Sequence, residues 1–175
     1  MSGWPARLIQ RLAGSNCGDD LLATERAAYA EIGRIVAIPF GVANVYERFA
    51  DQVARIIPFE LISITYVDLE RGTFTVMYTL GTDITGLGRG VTMSLADSAV
   101  VSEVAESKRP LRIIPQRDGG PVDQAMIEAG FVSRIATPLV ANERVVGTLH
   151  LSTSKHQAYG DAELVRLEIV GNQIA

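Results

Sequence analysis

The chain has 175 residues, 47% hydrophobic and 21% charged, with a formal net charge of −4. That is the size of one domain with ample apolar matter for a core, and its acidic balance disfavours a nucleic-acid partner, which calls for a basic face. A lone cysteine, Cys17, excludes an internal disulfide framework or a multi-cysteine metal centre, and no run of about twenty apolar residues is present to span a membrane.

Residues 1–20 read as an N-terminal leader arm or short helix, with Trp4, Leu8, Ile9 and Leu12 on one face. Gly14, Ser15, Asn16, Gly18, Asp19 and Asp20 follow as a breaker cluster. With no long apolar core before a cleavage site the arm does not read as a secretory signal, so a cytoplasmic location is expected. A single domain is expected over 21–175.

Apolar residues at three- and four-residue steps predict a helix over 21–38, closed by Pro39. A second helix fits 42–57, with Phe49, Val53, Ile56 and Ile57 in its stripe and Pro58 at its end. The period then drops to two. Residues 60–68 and 73–80 read as a hairpin turned by Leu69-Glu70-Arg71-Gly72. Residues 81–90 hold four glycines and read as a loop, and 91–95 as a short strand. Asp97 is the expected N-cap of a helix carrying Val100, Val101, Val104 and Ala105, which Pro110 stops. A short strand over 111–114 and a loop with Gly119-Gly120 precede a helix over 122–129, which Gly130 caps. Strands over 131–140 and 144–152 make a second hairpin. A last helix starts at Gly160 or Asp161 and carries Leu164, Leu167, Val170 and Ile174 along one side. Hairpins mixed with helices predict an α+β fold around an antiparallel sheet.

Alternate strand residues point to opposite faces. One face collects Ile62, Ile64, Tyr66, Phe74, Val76, Tyr78, Leu80, Val145, Leu149 and Leu151. The other collects Ser63, Thr65, Thr75, Met77, Thr79, Thr148, His150 and Ser152. Ala136 and Pro138 would join the second face, with Arg134 at its entrance. A solvated face normally carries Lys and Glu instead. If segments 81–110 and 116–130 cover this milder face, they enclose either a small-molecule pocket or a filled second core.

Several stretches, in order and at matching spacing, resemble the GAF domain family over about Glu25 to Ala175. They include Val45-Tyr46-Glu47-Arg48-Phe49, Ser63-Ile64-Thr65 and Ser102-Glu103-Val104-Ala105-Glu106-Ser107-Lys108-Arg109-Pro110. The most telling is Ser133-Arg134-Ile135-Ala136-Thr137-Pro138-Leu139-Val140, followed by Arg144-Val145-Val146-Gly147-Thr148-Leu149-His150-Leu151-Ser152. Tyr159-Gly160-Asp161 opens the last helix, with glycine where the family usually has Ser or Thr. The resemblance implies a central antiparallel sheet with helices on both faces. It also implies a regulatory sensory module, of the kind associated with histidine kinases, cyclases or phosphatases, that binds a small molecule between sheet and covering helices or mediates dimers. Its effector would lie elsewhere in a longer parent protein.

The expected ligand-binding residues are Thr75, Met77, Thr79, Asp97, Ser98, Arg134, Ala136, Thr148 and His150. His150 is the sharpest of them, able to hydrogen-bond a ligand or bind haem iron, or else to be a satisfied strand histidine. Asp97 and Ser98 start a helix whose N-terminus suits an anion, though capping explains them equally well. Gly86-Leu87-Gly88-Arg89-Gly90 lacks the full dinucleotide fingerprint and reads as a pocket rim. No cysteine lies within 18–175 to attach a pigment or to turn over a sulfoxide reductase. No nucleophile elbow or metal-spaced histidine pair appears, so no enzyme activity is expected. The residues name no cofactor. Cyclic nucleotides, aromatic acids, haem and fatty molecules suit them alike. A homodimer through the terminal helices is expected, with Leu164, Leu167, Val170 and Ile174 as its seam, and the alternative to a sensor is a ligand-free structural dimerisation module.

Overall fold

In the computed structural model, which describes residues 18–36 and 42–175, the sheet has the order β3-β2-β1-β6-β5-β4 with every pair antiparallel. Its strands are β1 (Leu61–Asp68), β2 (Thr73–Gly81), β3 (Thr92–Ser94), β4 (Leu111–Ile113), β5 (Ser133–Ala141) and β6 (Arg144–Thr153). The helices are α1 (Gly18–Val36), α2 (Val42–Ile56), α3 (Ala99–Ser107), α4 (Pro121–Glu128) and α5 (Asp161–Ile174). This is the expected α+β architecture with helices on both faces. The leader residues Trp4, Leu8, Ile9 and Leu12, Cys17 and Pro39 lie outside the described residues. Helix α1 already runs at Gly18, inside the stretch expected to break it.

Both central hairpins come from short-range chemistry. Asp68 accepts the Arg71 backbone N–H at 3.0 Å, and Gly72 closes the first turn at φ 63°. Asn142 and Glu143 turn the second at φ 50° and 64°.

One face of the sheet packs on α1, α2 and α5. Ala28, Ile32, Phe49, Val53, Leu167 and Val170 meet Ile62, Ile64, Ile135, Leu149 and Leu151 there. Tyr46 of α2 stacks on Tyr78 of β2 with ring centroids 4.8 Å apart. Most of the expected α5 seam is therefore core. Leu167 and Val170 are fully buried, and Leu164 and Ile174 pack against the same cluster. The exposed large apolar residues of α5 are Val165 and Ile169, one turn apart. Both sides of α5 carry branched aliphatics, so periodicity alone does not say which side is inside.

The other face packs on α3 and α4. Val101, Ala105, Val122 and Met126 meet Leu61, Val67, Phe74 and Val145, while Val100 and Val104 cover Ala136. Two register shifts overturn the strict alternation expected from the sequence. Ile64 pairs with Tyr78 but Thr65 pairs with Val76, leaving Met77 as an extra residue in β2. Phe74 and Val76 therefore turn to the α3–α4 face, while Tyr78 and Leu80 stay on the other. Likewise Leu139 pairs with Gly147 but Val140 with Val145, so Val146 is the extra residue and Val145 changes face. A bulge inserts one residue and reverses the parity beyond it.

Candidate functional site

A cavity of about 50 Å3 lies between the sheet and the α3–α4 layer. Ser63 and Thr65 of β1, Phe74 and Val76 of β2, Arg134 of β5 and His150 of β6 form its sheet side. Val101 of α3 and Val122 and Met126 of α4 form the opposite wall. Ile84 and Leu87 close it from the loop after β2, with the exposed Thr82 and Asp83 at the rim. Gly86 and Gly90, at φ 83° and 86°, shape this loop, and of the glycine run Leu87 alone reaches the cavity.

A chain of side-chain hydrogen bonds crosses the strands beneath it. Thr65 Oγ1 and Thr148 Oγ1 lie 2.6 Å apart, and Thr148 Oγ1 lies 2.7 Å from His150 Nε2. The two strands place Thr65 and Thr148 directly opposite one another. His150 is only 3% exposed. Burial, reinforced by the nearby Arg134 charge, pushes its pKa down to about 3, so the imidazole is neutral near pH 7.

Arg134 is fully covered, not at an entrance. Its Nη1 donates to Asp123 Oδ1 at 2.7 Å, and both side chains are buried. Burial holds the guanidinium below its ordinary pKa against the opposing pull of Asp123. The segment before α4 wraps the carboxylate. Gln116 N–H donates to Oδ2 at 3.3 Å, and Gly119 passes so close that a side chain there would meet the same oxygen. Asp123 was missed in the sequence because an acid in a first helical turn is explained by the helix dipole alone.

Three buried polar atoms on this side of the sheet have no partner among the described residues: Arg134 Nε, His150 Nδ1 and Ser152 Oγ. Arg134 and Ser152 are opposite in the β5–β6 ladder, and His150 is two residues along β6 from Ser152. Buried polar groups in folded proteins nearly always find a partner, so this cluster is unusual.

Of the residues expected at a site, Thr79, Arg134 and His150 line the cavity. Thr148 and Ala136 stand behind it, the first bonded to His150 and the second covered by α3. Thr75 and Met77 do not line it. Thr75 bonds Thr92 at the exposed β2–β3 edge at 2.8 Å, and Met77 is 44% exposed, because of the β2 bulge. Nor is Asp97 the cap of α3. It accepts the Ser94 N–H at 3.0 Å in the short 3-10 turn Leu95–Asp97. The α3 cap is Ser98, whose Oγ accepts the Val101 N–H at 3.3 Å. His156 is exposed. Among the described residues, no group of three or more His, Cys, Asp or Glu is placed to hold a metal ion, and no helix is long and apolar enough to cross a membrane.

The family model of the GAF domain matches residues 41–175. None of the curated proteins matches the chain. Solved structures with a similar fold include the GAF domain of a phosphoenolpyruvate-protein phosphotransferase from Coxiella burnetii, at TM-score 0.69 and 13% identity, covering 88% of this chain and 89% of that one. The free methionine-R-sulfoxide reductase from Neisseria meningitidis, solved with its substrate, superposes at 0.68 and 14% identity, covering 92% and 91%. The phycoerythrobilin-bound GAF domain of a cyanobacterial phytochrome superposes at 0.68 and 11% identity, covering 87% and 93%. At such identities these likenesses speak for the fold alone.

Proposed function

Because this chain belongs to the GAF domain family, we propose that it is a sensory module that binds a small molecule between the sheet and the α3–α4 layer. The observation that carries this reading is that Arg134 and His150, on the sheet side of a mostly apolar cavity, each keep a buried nitrogen with no partner among the described residues. Few polar groups within an apolar enclosure are the usual anatomy of a small-molecule site. Thr79, Arg134 and His150 would contact the ligand, Thr148 would orient His150, and Ser98 would fix the start of the covering helix. A ligand that prefers one arrangement of that layer shifts its population, and α1 and α5 would carry the shift to an effector in a longer cytoplasmic protein. No catalytic role is proposed. The reductase relative is an enzyme, but the described residues of this chain include no cysteine, and its neutral histidine has only a threonine for a partner.

The cavity also narrows the ligand. Sites for drug-sized molecules enclose about 300–1,000 Å3, whereas this one measures about 50 Å3. Haem, a cyclic nucleotide or a tetrapyrrole pigment would require the α3–α4 layer to move outward. Native mass spectrometry of the purified chain beside its denatured spectrum tests the binding reading. A small mass lost on denaturation is expected. A bare protein that also shows no change in the NMR resonances of Ser63, Arg134 and His150 against a fragment library would refute it.

A second reading, dimerisation, is favoured by a separate observation. Val165 and Ile169 are 55% and 40% exposed on α5. Arg166 beside them pairs with Glu25 of α1 at 2.7 Å, one turn after the exposed Leu22. These residues, rather than Leu167 and Val170, would form the seam of a homodimer.

A further inference from the structure

The donors left over at the cavity restrict what it takes, given that it binds a ligand as proposed above. A guanidinium nitrogen only donates, so Arg134 Nε–H demands an acceptor. His150 Nδ1 is less particular. Its role follows the direction of the Thr65–Thr148–His150 chain, because a proton on Nε2 leaves Nδ1 an acceptor and a proton donated by Thr148 leaves Nδ1–H a donor. The one fixed requirement is an oxygen that accepts.

Charge decides which kind of oxygen. Arg134 is already neutralised by Asp123 at 2.7 Å, with both groups buried. His150 is uncharged near pH 7, and the acidic group at the rim is Asp83. An entering anion would therefore bring a buried charge with no counter-ion and would pass a carboxylate on the way. A neutral acceptor brings neither penalty. Size decides the rest. At about 50 Å3 the cavity is a fraction of what drug-sized sites enclose, so it takes a compact molecule. Apolar walls from Val76, Val101, Val122 and Met126 surround whatever is not bonded.

We propose that the ligand is a compact, uncharged molecule whose carbonyl-type oxygen accepts from Arg134 Nε–H beside His150, the chemistry of a small amide, urea or ketone.

The test uses the full chain, labelled with 15N, and the side-chain Nε–H resonance of Arg134. It is titrated at pH 7 with acetamide and, separately, with sodium acetate. The two probes match in shape and differ in charge. Acetamide is expected to move the Arg134 resonance and to saturate it at concentrations about tenfold or more below those acetate requires. Val101→Leu, which fills the cavity from α3, should remove the response. Should that variant not fold, Val76→Ile fills it from the sheet. Tighter binding of acetate would overturn the uncharged class and leave the binding site standing. No response to either probe at their solubility limits would remove the compact-acceptor class, and with a bare native mass spectrum it would remove the site itself. A response that persists in a folded filled-cavity variant would place the probes elsewhere and overturn the assignment.

Discussion

Replacing Asp123 by Asn tests whether the buried pair governs the site's architecture. The substitution keeps the shape and removes the charge opposite Arg134, a side chain only 3% exposed. It also turns a carboxylate oxygen that accepts from Gln116 N–H into an amide whose two ends cannot both serve the old partners. Breaking a buried ion pair from one side leaves an uncompensated charge and costs about 3–5 kcal/mol. Against a total stability of roughly 5–15 kcal/mol that is a large share, and it lowers Tm by about 6–20 °C for a chain of this size. The double variant Arg134→Met with Asp123→Leu removes both charges at similar volume and should lie within about 2 kcal/mol of the parent. Urea unfolding of the parent, both single variants and the double variant gives the coupling energy directly. A loss under about 1 kcal/mol for Asp123→Asn, the level of a surface pair, would refute the reasoning.

Four other substitutions probe separate parts of the fold. His150, pushed down to about 3 in the folded chain, takes up a proton on unfolding below pH 6.5. Its contribution is thus complete above about pH 6.5 and falls as pH drops, by about 2 kcal/mol at pH 5. The difference in unfolding free energy between the parent and His150→Gln, measured from pH 7 to pH 5, should show that slope, and a flat difference contradicts the buried neutral imidazole. Leu167→Glu places a carboxylate in the α1–α2–α5 core and should unfold the chain, whereas Val165→Glu leaves the melting curve within about 1 kcal/mol of the parent and, in sedimentation velocity, abolishes any dimer. A folded Leu167→Glu monomer would restore the seam that the fold moves to Val165 and Ile169. Gly147→Ala sets a Cβ against the Thr65 carbonyl oxygen between two paired strands, so it should cost about 2 kcal/mol or more in urea unfolding. An unchanged midpoint would mean that the strands separate freely there.

Much of the architecture was legible because its determinants are local. Pro58, Pro110 and Gly130 end helices by steric and conformational rules, and the Asp68–Gly72 turn fixes the first hairpin. What escaped is set by tertiary contact. Nothing in Thr73–Gly81 says that Met77 is the extra residue, because both phases of the strand carry side chains that a core accepts. That one residue sends Phe74 and Val76 to the cavity and takes Thr75 and Met77 away from it. The same ambiguity hid the buried side of α5. His150 was visible as an imidazole on an otherwise mild strand face. Its partner Thr148 was too, by the period of two. Arg134 was recognised but placed at the entrance, since an arginine is expected near solvent unless its counter-ion is known, and Asp123 sits in another element.

The contact of α5 with β5 has a mechanical consequence. Gly171 rides directly on Thr137, so near that an added methyl would press on its Cγ2, and the Pro138 carbonyl is its next neighbour. On the opposite side of the same strand, Arg134 and Ala136 face the α3–α4 layer. One backbone thickness and the short Thr137 side chain therefore separate the cavity from the last helix at that point. Long side chains absorb small displacements by rotamer changes, whereas a β-branched threonine seated on a glycine has little such slack. A shift of β5 by a fraction of an ångström would be handed to α5 nearly undiminished, as between two meshed gears without play.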